Sequence, residues 1–99
     1  MVRHIVIWKF KSSLSPEEKR EAAEKIRDGL ESLNGRIPGL ISLKVSPLPL
    51  PSSTGDAMLD SSFEDERALE GYRVHPLHLE KAAFVRSVTE QRASFDSEI

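Results

Sequence analysis

Tyr72-Arg73-Val74-His75-Pro76-Leu77-His78 brings the only tyrosine of the chain and two of its three histidines together around a proline. These are proton-transfer side chains. An imidazole with a pKa of about 6.5 can take up or release a proton at neutral pH. A phenol can donate a hydrogen bond to a carbonyl or a developing enolate. The same residues have a purely structural use, in which Tyr72 and His78 bond each other or the backbone and fix a turn. Metal binding is not expected. His75 and His78 are three residues apart, but His75 lies at the turn and no carboxylate is evidently placed to complete a ligand set.

The elements around this stretch can be read from spacing. Pro76 fixes its own φ and drives His75 out of the helical region, so the chain should turn at His75 and begin a helix at Pro76. His75 then serves as the helix cap. His78, Ala82 and Val85 fall on one inward stripe of that helix, which extends over Leu77 to Val88. Before the turn, Glu64, Asp65 and Glu66 suit a helix amino end, and Ala68, Leu69 and Tyr72 share one face of a short helix.

Val2 to Phe10 reads as a strand with His4, Val6, Trp8 and Phe10 on one face and Arg3, Ile5, Ile7 and Lys9 on the other. Both faces carry apolar groups, so a second subunit is expected to cover one of them. Ser15-Pro16-Glu17-Glu18 predicts a capping box that opens a helix. Ala22, Ala23, Ile26, Leu30 and Leu33 form its buried stripe, and Gly35 is its left-handed stop. A strand over Leu40 to Ser46 should place Ile41, Leu43 and Val45 on one face. Pro47, Pro49 and Pro51 end regular pairing. In the strand Ala57 to Phe63, Ala57, Leu59, Ser61 and Phe63 oppose Met58, Asp60 and Ser62. Thr89 to Asp96 is a weaker last strand, with Ala93 and Phe95 opposite Arg92, Ser94 and Asp96. This order of elements is the β-α-β-β-α-β arrangement of an α+β, ferredoxin-like fold with a four-stranded antiparallel sheet.

Composition narrows the function. Ninety-nine residues are expected to form one domain spanning 1–99. A net charge of −2, with no basic patch, argues against a nucleic-acid partner. The absence of cysteine removes disulfides, thiolate metal sites and a cysteine nucleophile. No apolar run could span a bilayer, and the amino end begins a strand rather than a signal peptide; a cytoplasmic protein without membrane attachment is expected.

Three features together resemble the stress-responsive A/B barrel (Dabb, dimeric α/β-barrel) domain: Val2-Arg3-His4-Ile5-Val6-Ile7-Trp8-Lys9-Phe10-Lys11, the strand ending in Phe63-Glu64, and Tyr72-x-x-His75-Pro76-x-His78. The resemblance covers nearly the whole chain. It implies a homodimer whose two sheets pack face to face, and a cleft between each sheet and its own helices. Plant polyketide cyclases of the olivetolic acid cyclase type are similar at the acid/base motif, which implies catalytic roles for Tyr72 and His78 without a cofactor. His4 matches a further histidine of that cleft. Ala57 stands where those enzymes have another histidine, and Thr89 and Arg92 stand where they have apolar lining. The substrate-binding set implied is His4, Trp8, Ala57, Leu59, Val85 and Thr89. Two functions suit such a cleft: a cofactor-free aldol-type cyclase or isomerase acting on a small carbonyl compound, and a non-catalytic stress-responsive binding protein. A cofactor-free monooxygenase ranks third.

Overall fold

The computed structural model describes all 99 residues, Met1–Ile99. Strand β1 is Val2–Phe10, helix α1 is Pro16–Glu31, β2 is Leu40–Ser46 and β3 is Ala57–Phe63. Helices α2 (Glu66–Val74) and α3 (Pro76–Val88) follow, and β4 is Thr89–Glu98. The sheet is antiparallel in the order β2-β3-β1-β4, with all helices against one face. This is the ferredoxin-like α+β fold.

Each boundary has a local cause. At the start of α1, Ser15 Oγ accepts the Glu18 N–H at 3.1 Å while the Glu18 carboxylate accepts the Ser15 N–H at 2.9 Å. The capping box thus satisfies two donors that would otherwise be free. Helix α1 closes at Glu31, ahead of Gly35. Leu33 is buried from the turns that follow, and Gly35 takes its positive φ within them. Side chains from this end of α1 also seal the outer edge of β2. Asn34 both donates to and accepts from the Leu43 backbone at 2.9 Å, and Glu31 accepts the Val45 N–H at 3.0 Å. An edge strand is thereby kept from pairing with another chain. At the second junction Asp65 caps α2, accepting the Ala68 N–H at 2.8 Å. His75, at φ −67° and ψ 133°, ends α2, and its Nδ1 accepts the Leu77 N–H at 3.1 Å to cap α3.

The inner sheet face carries Val6, Trp8, Phe10, Leu43, Val45, Leu59 and Phe63. They pack on Ala23, Ile26 and Leu30 of α1, Leu69 and Tyr72 of α2, and Val85 of α3. One expectation fails here. Ile41 does not join Leu43 and Val45 inside but is 49% exposed. The register steps from Leu40↔Phe63 to Ser42↔Ser62, two residues against one, so a bulge at Ile41 turns it outward. The last strand also runs to Glu98, two residues past Asp96, with Glu90 as an extra residue opposite Lys9/Phe10. No helix covers the outer face, and the Ser46–Gly55 connection reaches only its Ile7 and Met58 end: Ile7 is 43% exposed, Phe95 69%, and Ile5 and Met58 are half-buried. No helix is long and apolar enough to cross a membrane.

Candidate active site

The inner face of β1 is apolar except at His4, and an imidazole buried there requires a polar partner. Cross-strand pairing supplies it. His4 lies directly opposite Asp96 of β4, and the His4 Nδ1–H donates to Asp96 Oδ1 at 2.5 Å. The second carboxylate oxygen accepts Arg73 Nη2 of α2 at 2.7 Å, so one aspartate joins strand, imidazole and helix. Desolvation pushes the Asp96 carboxyl up, but the His4 hydrogen bond and the charges of His4 and Arg73 outweigh it and hold it below the usual carboxylate range. Ser61 Oγ in turn donates to the His4 carbonyl at 2.8 Å, anchoring the strand from the other side.

Tyr72 sits beside this dyad. Its ring packs at 5.1 Å from Phe63 and 6.4 Å from His4, measured between centroids. The His78 ring lies only 4.1 Å away at an interplanar angle of 42°, a tilted stack rather than a hydrogen bond between the two side chains. Burial raises the Tyr72 phenol well above its ordinary pKa, against a smaller opposing pull from the Arg92 charge. It therefore stays protonated and acts as a donor. No protein group accepts its hydroxyl hydrogen, and no buried side-chain polar atom is left unpaired, so the hydroxyl must reach open space.

His78 is positioned by the bend at His75-Pro76. Its Nδ1 lies 3.3 Å from the Arg73 carbonyl, which can only accept, so Nδ1 carries the hydrogen and Nε2 carries the lone pair. Desolvation lowers its pKa. The Arg73 carbonyl opposes this, and the neighbouring charges of His4, Arg86 and Arg92 lower it further. His78 is therefore neutral at pH 7, the state a general base requires.

These groups border one cavity of about 260 Å³ between the sheet and the helices. Tyr72, His78, His4, Trp8, Leu59, Val85 and Thr89 all line it, together with Arg92. Ala57 does not. It is buried opposite Trp8 on β3 and borders a second depression under the Ser46–Gly55 connection, while the larger Trp8 ring forms the cavity wall at that end. Arg73, Arg86 and Asp96 are the polar residues that sequence spacing did not assign to the site. Arg86 was open to such an assignment, being eight residues beyond His78 and hence on the same helical face. Asp96 required the β1–β4 register, which spacing alone does not supply. His75 spends its ring nitrogen on Leu77, and no group of three or more His, Cys, Asp or Glu side chains is assembled to hold a metal ion.

Comparison with known proteins adds a family. A model described as the stress responsive A/B barrel domain matches residues 2–99. Among solved structures, a dimeric protein of unknown function with a ferredoxin-like fold from Bacteroides fragilis has a TM-score of 0.92 at 26% identity, covering 99% of this chain and 95% of that one. A dimeric ferredoxin-like protein of unknown function from Thermobifida fusca has a TM-score of 0.83 at 20% identity, covering 99% and 90%. A hydroxynitrile lyase from Passiflora edulis has a TM-score of 0.79 at 21% identity, covering 99% and 92%. No curated protein matches the chain.

Proposed function

The chain belongs to the stress-responsive A/B barrel family, and from that premise we propose that it is a homodimeric, cytoplasmic, cofactor-free acid/base enzyme acting on a small carbonyl compound. The observation that carries this is the meeting of Tyr72, His78 and His4 on one cavity, with the Nδ1 of each imidazole already engaged. Neutral His78 then offers its Nε2 lone pair. His78 takes a proton from the carbon next to the carbonyl, and the Tyr72 hydroxyl donates to the oxygen as it gains enolate charge. The enolate either attacks a second carbonyl, closing a ring in an aldol step, or is reprotonated at another position as an isomerisation. His78, now carrying that proton, returns it to the new alkoxide or to the other carbon, while His4, held by Asp96, contributes a polar wall to the cavity. That one protein of this fold is a hydroxynitrile lyase supports acid/base chemistry on such a scaffold.

The homodimer follows from the outer sheet face, where Ile5, Ile7, Met58 and Phe95 have no helix to cover them. The dimeric state of two structural relatives agrees with it.

Proton exchange tests the chemistry without knowledge of the product. A panel of small ketones and keto acids is incubated with the protein in heavy water, and loss of the α-proton signal is followed by NMR. The wild type should accelerate exchange for at least one member, with a rate that rises with pH through a value below the ordinary imidazole pKa, because His78 is shifted down. His78→Ala should slow it about 100-fold or more, the usual contribution of a general base. Tyr72→Phe should lower turnover while leaving binding nearly intact. If a panel member binds but no exchange exceeds the buffer rate, the protein is a binding protein and the enzyme assignment is wrong.

A further inference from the structure

The cavity lining contains three arginines, Arg73, Arg86 and Arg92, and no aspartate or glutamate. In a chain of formal charge −2, that is a local reversal of sign. The three are not equivalent. Arg73 is already neutralised by Asp96 at 2.7 Å. Arg86 and Arg92 enter no ion pair with any carboxylate of the chain, and both are exposed residues. They reach it from different elements, Arg86 from the last turns of α3 and Arg92 from β4 opposite Trp8, so two arginines without a carboxylate partner line one cavity. Their charges are felt inside: both depress His78, and Arg92 also acts on Tyr72.

We infer that the ligand is an anion, a small keto acid whose carboxylate is held at the cavity mouth by Arg86 and Arg92 while its carbonyl lies deeper, against Tyr72 and His78. This rests on the acid/base assignment for the placement of the carbonyl, but the anion subsite stands on the two arginines alone. A guanidinium presents parallel N–H donors that match the two oxygens of a carboxylate. The volume limits the rest of the molecule. At about 260 Å³ the cavity lies just under the usual range for small-molecule sites, about 300–1,000 Å³, so a short carbon chain fits and a long apolar one does not. Two further consequences follow. The carboxylate sets which end of the substrate enters first. It also offsets the positive charge near His78, raising the basicity of that imidazole in the complex relative to the free protein.

The test uses three probes of equal chain length: levulinate, its methyl ester, and an alkyl phosphate. Binding to the isotope-labelled protein is followed by chemical-shift titration, including the arginine Nε–H signals. Levulinate should bind at least about tenfold more tightly than the ester, the scale of a charged hydrogen bond, and should weaken with added salt. Arg92→Gln and Arg86→Gln should each reduce that preference, and the double variant should abolish it. Arg92→Lys should restore part of it, and unchanged melting temperatures without ligand would show that the variants fold. Equal binding of acid and ester, no binding of either, or tighter binding of the phosphate would each overturn the inference. Carboxylate selectivity without proton exchange would leave the anion subsite standing and remove the enzyme assignment, so the two failures can be told apart.

Discussion

Asp96→Ala probes the joint between strand, helix and imidazole. The substitution removes the acceptor for His4 Nδ1–H, on a side chain only 5% exposed, and for Arg73 Nη2, on one 44% exposed. A buried donor left without a partner costs about 1–3 kcal/mol. The Arg73 pair, half in water, adds about 0–1 kcal/mol. A central value of about 2 kcal/mol lowers the melting temperature of a domain this size by about 8–16 °C. The same substitution in a His4→Phe background should cost no more than the Arg73 share, since the buried donor is gone. The double-mutant cycle, read by urea or thermal unfolding, should therefore show a coupling of about 1–2 kcal/mol. The difference between wild type and Asp96→Ala should also shrink in acid. The Asp96 carboxyl is held below its ordinary range in the fold, so its stabilisation is full above the unfolded value and is lost as pH falls through the folded one. If the two substitutions add within about 0.5 kcal/mol at neutral pH, His4 does not depend on Asp96 and the dyad is incidental.

Ile7→Glu would place an unpaired charge on the uncovered outer face, where Ile7 is 43% exposed in the single chain. Sedimentation should show dimer for the wild type and monomer or aggregate for the variant. Gly39→Ala should destabilise by about 2–4 kcal/mol, combining a left-handed backbone with overpacking, since an added Cβ would lie 2.4 Å from Ala68 Cβ at φ +80°. Adding Ala68→Gly should relieve the overpacking but not the backbone share. Full recovery in the double variant would show that φ contributes nothing.

Much of the fold was legible because period-2 and period-3.6 patterns are local. The spans of β1, β2 and β3 and the starts of α1 and α3 follow from alternation, a capping box and Pro76. Ile41 was misplaced because a bulge breaks parity without leaving a mark in residue type. The site was legible in proportion to how much of it lies in one stretch. Tyr72 and His78 are near neighbours in sequence, whereas His4 and Asp96 are 92 residues apart and meet only through register. The sign of the cavity was less visible still. It depends on Arg73 being neutralised while Arg86 and Arg92 are not, a distinction made by tertiary contacts. Ala57 shares the face of Leu59 but lies beside Trp8, whose bulk sets where the cavity ends.

Alternate residues of β1 and β4 serve opposite surfaces. His4 pairs with Asp96 toward the cleft, while Ile5 pairs with Phe95 and Ile7 with Ala93 on the other side. Inserting or deleting one residue within either strand would exchange the two sets at once, sending an imidazole outward and an isoleucine inward. Away from the bulge at Glu90, a one-residue change in the length of either strand disturbs both surfaces together. Helix α3 is under no such constraint. Its cavity positions, His78, Ala82, Val85 and Arg86, recur at helical spacing on one side, so substitutions there reshape the cavity and leave the outer sheet surface untouched. A chain built this way can be retuned to a new ligand by point changes in α3 while its assembly stays as it was.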